Sequence, residues 1–485
     1  MKILLVRPNP PKYTIGLKHI MVCEPLELEY VAAGIQGHNV EILDMILEKD
    51  LRGKLRSFQP DIVGTGSYIT GVNVVKDICC EAKAFNPKVL TMVGGVHATL
   101  APGDFSDPHI DVIAMGEGAA LAGRIIANYD RGQSLETIPG LAFPDGPSLR
   151  FSPPGTLAVD VKNLPLPRRS LIEKYKNRYY YLFHQPVTLV KTIFGCPFTC
   201  NFCFCWRLTG GNVYLRSAES VVEEIQQIES RDIYFVDDTF FVDINRLRKL
   251  RDLIRERRIE KDYLAYAHTD FIVKHPGIIR DWAEIGLKAC IVGLESPRDD
   301  ELLNYEKKAT VTLNTEAVEI LRKNKVDVYG SFIVDPGWTK KDFARLGDYI
   351  EKTGIYYTVI QPLTPLPGTT IFSRFENTLT VDRGDYEIWD MQHALLPTRL
   401  PLKEFYRQIR KLYIRKILDI GRARRLQLRT APPVWSKKYL RLVWGGVRVM
   451  LSLRKAHLHA KYLASARGRD GRAGLAGHPK ENDKR

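Results

Sequence analysis

Four of the chain's eight cysteines fall between residues 196 and 205, in the stretch GCPFTCNFCFC. Thiolates are soft ligands that suit zinc or iron–sulfur clusters. The amino-terminal run MKILLVRPNP has no long apolar segment followed by a cleavage site, so a cytoplasmic, reducing location is expected. There a cysteine cluster binds metal or does redox work rather than forming disulfides. Cys196, Cys200 and Cys203 are spaced C-x3-C-x2-C. A closed zinc site needs four ligands. Cys205 is available as a fourth, but one residue separates it from Cys203, tighter than the usual zinc-ligand spacing, and no second pair lies nearby. Three cysteines on a cubane iron–sulfur cluster leave one iron open to a further ligand. The scattered Cys23, Cys79, Cys80 and Cys290 are expected to be small buried side chains.

Elements able to position such a cluster are legible on both sides of it. The cysteine stretch follows the β-rich run VTLVKTIFG, and further runs follow: IYFVDDTF, LAYAHTD, KACIVGLES, VYGSFIVDPG and YYTVIQPLTPLPGT. Helical segments such as SAESVVEEIQQIE alternate with them. About six strand–helix units in a row suggest a barrel or partial barrel, whose chemistry sits at the carboxyl ends of its strands. Asp237 and Asp238 of FVDD, Glu295 of GLES and Asp335 of VDPG lie at such ends. Upstream, residues 1–150 also alternate strand and helix, which implies a parallel sheet covered on both faces. Three of its strand ends carry glycine: Gly64-Thr65-Gly66-Ser67, Gly94-Gly95-Val96-His97 and Gly116-Glu117-Gly118. Glycines there let a large, nucleotide-sized ligand approach the backbone.

At 485 residues the chain exceeds one ordinary core. PDGPSLRFSPPGT and NLPLPRRS read as a linker. Residues 401–485 hold 23 Lys+Arg against 5 Asp+Glu, a balance of +18, so the first 400 carry −3 of the total +15. No apolar run is long enough to span a membrane. In YLRLVWGGVRVML, residues 439–451, Leu440, Val443, Trp444, Val447, Met450 and Leu451 recur at helical spacing, with Arg441, Arg448 and Lys455 on another face. A basic amphipathic helix of this kind reads as peripheral on an anionic membrane surface. Nucleic acid is not expected, because basic residues alone read no bases.

The C-x3-C-x2-C spacing, with Phe202 before its last cysteine, resembles the radical S-adenosylmethionine (SAM) superfamily. That resemblance implies that Cys196, Cys200 and Cys203 bind a [4Fe–4S] cluster whose open iron chelates SAM, and that Asp237, Asp238 and Glu295 contact SAM. The amino-terminal part resembles the cobalamin-binding, Rossmann-like domain of one branch of that superfamily. Thr65, Gly66, Ser67, Tyr68, Gly94, Gly95, His97, Gly116, Glu117 and Gly118 are then the expected cobalamin contacts. No D-x-H-x-x-G occurs, which implies cobalt without a histidine beneath it, with Tyr68 near that lower face and His97 packing or bonding near the corrin.

The expected fold is α/β: a cobalamin-binding Rossmann-like domain over 1–145, a linker over 146–180, a radical SAM partial (β/α)6 barrel over 181–385, a helical basic region over 386–465 and a disordered tail over 466–485. EPLELEYVAAG, FVDDTFFVD, TPLPGT and LLPTRLPLKEFY are most similar to hopanoid C-3 methylases, although His268 stands where that family leads one to expect arginine. The resemblance implies a cobalamin-dependent radical SAM C-methyltransferase. One SAM methylates cobalamin, and a second supplies the radical that takes hydrogen from an unactivated carbon of a triterpenoid-type lipid. It also implies an electron donor such as flavodoxin or ferredoxin. No residue stands out as catalytic in its own right. Two alternatives remain: cyclisation or rearrangement without methyl transfer, and a non-catalytic iron–sulfur and cobalamin sensor.

Overall fold

The computed structural model describes residues 1–16, 19–417, 428–430, 433 and 436–473. The alternation expected over residues 1–150 forms five parallel strands: β1 (Lys2–Arg7), β2 (Asn39–Asp44), β3 (Ile62–Gly66), β4 (Leu90–Gly94) and β5 (Val112–Ala114). They pair in parallel in the order β2-β1-β3-β4-β5. Ile3, Leu4, Leu5 and Val6 of β1 are all buried, because helices cover both faces. The sheet does not stop at residue 145. β6 (Leu141–Asp145) and β7 (Ser148–Phe151) form an antiparallel hairpin on the edge of β5. Gly146, with φ +59°, makes its turn. Asp145-Gly146 is a hairpin signal, and the linker expected from residue 146 therefore begins as part of the sheet.

The second unit is a six-stranded parallel sheet in sequential order: β8 (Val187–Val190), β9 (Asp232–Phe235), β10 (Asp262–Ala267), β11 (Leu287–Glu295), β12 (Asp327–Val334) and β13 (Tyr357–Pro362). These are the six expected strand–helix units. The helices between them are capped by Ser217, Asp243 and Thr310, whose side chains accept backbone N–H bonds at the helix starts. Tyr234, Tyr329 and Tyr357 pack with Phe183 in one cluster that fills the space inside the sheet. Asp327 closes the amino end of β12, accepting the N–H groups of Arg429 and Thr430 and the Thr430 hydroxyl.

The carboxyl-terminal part contains the helices Leu402–Ile417 and Lys437–Ala473. The second continues eight residues into the stretch expected to be disordered, as far as Ala473; the rest of that stretch lies outside the described residues. It is also not a detachable appendage. Tyr439, Val449, Met450, Leu453 and Ala456 are buried, and three of them join the main barrel core. His459 Nδ1 lies 2.8 Å from His393 Nε2, a buried bond between this helix and the loop after the barrel.

Candidate functional site

The cysteine loop leaves the barrel after β8. The antiparallel bridge between Ile193–Phe194 and Tyr214–Leu215 pinches its two ends together. Gly195, with φ +86°, begins the loop where a Cβ would stand 2.1 Å from the Asn212 carbonyl, so only glycine fits. Asp237 fixes the loop's root. It is fully buried, and its Oδ1 accepts the N–H groups of Thr192 and Ile193 at 2.6 and 2.8 Å, while Oδ2 accepts the Thr192 hydroxyl at 2.6 Å. Oδ1 is engaged by backbone and Oδ2 by the Thr192 hydroxyl, so Asp237, expected to contact SAM, holds the root of the loop. Asp237→Asn would turn an amide N–H toward these donors. We expect a loss of about 1–3 kcal/mol of stability and a lower iron content per chain. Unchanged denaturation and iron content would rule this role out.

Cys196, Cys200 and Cys203 come together within this loop, and charge on Cys203 raises the proton affinity of both Cys196 and Cys200. Burial pushes the Cys196 thiol up to about 12 and also raises Cys200. The Cys203 and Cys205 thiols share a hydrogen bond, which lowers Cys203 and raises Cys205; Asp238 also bonds Cys205. Among the described residues, no group of three His, Cys, Asp or Glu side chains closes around a single metal ion.

Glu295 ends β11 in the left-handed region, at φ +56°. It is buried and meets Lys307 Nζ at 3.0 Å. Lys307 is itself buried beside Cys200 and Cys203, whose proton affinity it lowers. No local pattern marks Lys307, because the helix Asp299–Asn304 must fold back to return it to the strand end. Asp238, unlike Asp237, stays partly exposed, 3.7 Å from Lys191 Nζ. Asn201 Oδ1, Thr239 Oγ1 and His268 Nε2, in the loop or at neighbouring strand ends, are buried without a partner among the described residues. Unmet polar atoms there fit a polar ligand held over the loop.

Across from this mouth are the strand ends of the first sheet. Tyr68 is 63% exposed to water, yet protein surrounds it and raises its hydroxyl's proton affinity, helped by Glu27, Cys205, Asp238 and Tyr266. A side chain standing in an internal cleft has both properties. Its ring is 6.4 Å from that of Phe204 in the cysteine loop. Behind it, Thr65 Oγ1 and Ser67 Oγ are buried without partners among the described residues. Gly66 lies against Gly94, where a Cβ would come within 2.6 Å of the Gly94 carbonyl. A Cβ on Gly94 itself would meet nothing closer than 3.8 Å, which leaves a cradle above that strand end. Gly95 and Gly116 have φ +96° and +132°. This floor of glycines and unmet hydroxyls fits a corrin with amide side chains.

Two expected cobalamin contacts do other work. Glu117 caps the helix Gly118–Asp130, accepting from the N–H groups of Ala119 and Ala120. His97 Nε2 is 2.7 Å from Asp104, and its ring packs on Phe105 and Tyr386. Both side chains are engaged within the protein. Gly118, beside that cap, packs against Val31, 3.0 Å from where its Cβ would be.

Residues 15–125 match the B12 binding domain family, and residues 190–350 match the radical SAM superfamily. The chain is 30% identical to the hopanoid C-3 methylase of Methylococcus capsulatus, over 85% of this chain and 79% of that one. It is 26% identical to the anaerobic magnesium-protoporphyrin IX monomethyl ester cyclase of Cereibacter sphaeroides, over 69% of this chain and 57% of that one. In fold it resembles the radical SAM methyltransferase TsrM of Kitasatospora setae, with a TM-score of 0.70, 16% identity and coverage of 97% of this chain and 99% of that one.

Proposed function

The chain belongs to the cobalamin-dependent radical SAM methyltransferases, and from that premise we propose that it methylates an unactivated carbon of a hopanoid-type lipid. Similarity to the hopanoid methylase across both domains is the observation that carries the substrate. Its cofactors are a [4Fe–4S] cluster, SAM and cobalamin. Bound together, they supply one-electron cleavage of SAM and transfer of a methyl group to carbon that no general base can deprotonate.

The chain's own residues position and enclose. Cys196, Cys200 and Cys203 would hold the cluster, Cys196 and Cys200 giving up protons that burial otherwise retains. Asp237 sets the loop from below. Asp238 and Glu295 face SAM, with Lys307 balancing the Glu295 charge. Thr65, Gly66, Ser67, Gly94, Gly95 and Gly116 cradle cobalamin, with Tyr68 between it and the cysteine loop. His97 stays bonded to Asp104 and so would pack near the cofactor without holding it. Electrons come from a flavodoxin- or ferredoxin-class donor.

Anaerobic reconstitution with iron, sulfide and cobalamin, then incubation with SAM and hopanoids, tests this reading. A methylated lipid with S-adenosylhomocysteine and 5′-deoxyadenosine is expected. The likeness to a cyclase favours a second reading, radical chemistry without methyl transfer, in which S-adenosylhomocysteine would not form. With no 5′-deoxyadenosine at all, the chain would be a sensor.

A membrane-derived substrate also gives the last helix a task. No helix among the described residues is long and apolar enough to cross a membrane. Leu440, Trp444 and Leu451, at 45%, 59% and 53% exposure, instead form an outward apolar stripe. Met450 is buried, and Arg441 is held over the Tyr180 ring and by the Leu182 carbonyl. The membrane-facing basic groups are therefore exposed neighbours such as Lys437, Arg454 and Lys455, each worth about 1 kcal/mol near an anionic surface. Because the helix is built into the core, removing residues 436–485 would damage the barrel, and surface substitutions are the sound test. We expect the protein to sediment with anionic vesicles at low salt and to release at high salt. Trp444→Glu with Leu451→Glu should abolish sedimentation without lowering thermal stability. Undiminished sedimentation would remove the membrane role.

A further inference from the structure

We propose that His268 positions SAM over the cysteine loop by donating a hydrogen bond from Nε2 to an acceptor oxygen of its carboxylate or ribose. The inference rests on the SAM-binding reading above. His268 follows directly on β10, at the barrel mouth. Its ring lies face to face with Phe198, with centroids 3.7 Å apart and planes 11° from parallel. Phe198 sits between Cys196 and Cys200, so the imidazole is stacked on the cysteine loop itself.

The ring's hydrogen bonding fixes where its proton is. Nδ1 accepts the Asp270 N–H at 3.2 Å, capping the helix Thr269–Lys274. A nitrogen that accepts carries no proton, so the neutral ring bears its N–H on Nε2. The ring stays neutral because burial, then Lys307, Lys274 and Lys308, press its pKa down to about 3. His268 is only 7% exposed, and among the described residues Nε2 has no partner. Leaving a buried donor unmet costs about 1–3 kcal/mol. Here that donor lies close to Lys307, and Lys307 in turn touches Glu295 and adjoins Cys200 and Cys203. These are the groups expected around SAM. An arginine here would bring a permanent charge and a fork of donors; histidine offers one uncharged N–H, rigidly aimed by the Phe198 stack and the helix cap.

Equilibrium dialysis of SAM against full-length protein, reconstituted anaerobically with iron and sulfide, tests the proposal. His268→Phe keeps a ring on Phe198 and removes the donor. His268→Gln restores an N–H. With iron and sulfide content unchanged, His268→Phe should bind SAM about tenfold more weakly, and His268→Gln should recover most of the loss. The perturbation of the reduced cluster's paramagnetic resonance by SAM should weaken in parallel. Wild-type affinity in His268→Phe overturns the proposal. So does loss of the cluster in His268→Phe, which would make the ring a support for the loop alone. A wild-type protein that binds no SAM defeats the broader reading together with this one.

Discussion

Replacing Cys196, Cys200 and Cys203 together with alanine is expected to abolish the iron–sulfur chromophore and all reductive cleavage of SAM, whereas Cys205→Ala keeps both. The contrast comes from ligand count. Three cysteines bind three irons, and the fourth must stay open for SAM. The structure makes Cys205 a demanding control, because its thiol shares a hydrogen bond with Cys203 and another with Asp238. Removing it forfeits about 1 kcal/mol of hydrogen bonding, but Cys203 must leave that bond in any case to bind iron. Visible absorption, iron and sulfide content, and 5′-deoxyadenosine formation under strong reductant are the measurements. Loss of the cluster in Cys205→Ala would mean four-cysteine ligation and would sink the radical SAM chemistry proposed for this loop.

Gly94→Val is expected to abolish cobalamin binding while the protein folds and keeps its cluster. A Cβ at this position meets only the Ala114 carbonyl and Cβ, at 3.8 and 3.9 Å, so protein atoms offer little resistance. The added methyl groups instead enter the open space above this strand end. Gly66→Val is the contrasting variant. Its side chain would drive into the Gly94 backbone at 2.6 Å and should cost stability outright. Cobalamin retained per chain after gel filtration, thermal unfolding and iron content separate the two. Cobalamin content equal to wild type in Gly94→Val would show that the corrin lies elsewhere.

Much of this architecture is written in local pattern. The strand–helix alternation specified two parallel sheets, because β-rich runs ended by small residues and joined by amphipathic helices have few other ways to bury both faces. The cysteine spacing specified a three-thiolate loop, and the glycine-bearing ends of β3, β4 and β5 marked the floor opposite it. These signals are legible because each lies within a few residues. The Asp145-Gly146 hairpin was equally local, but its proline-rich surroundings masked it.

Which side chain does which task was decided only when distant segments met. Asp237 and Asp238 are adjacent in sequence, yet strand geometry points one into the backbone of Thr192 and Ile193 and leaves the other at the mouth. Glu117 and His97, which the resemblance places near cobalamin, also bond within the protein, to a helix start and to Asp104. Lys307 reaches Glu295 only through a returning helix. The last helix shows an amphipathic pattern, but the pattern cannot distinguish a face packed on the barrel from one turned to solvent. The structure divides it, burying Met450 and leaving Trp444 outside. Periodicity and spacing therefore determined the elements and the cluster motif, because both arise from neighbouring residues. The tertiary structure alone decided which polar atoms were left unsatisfied, because that depends on every segment packed around them.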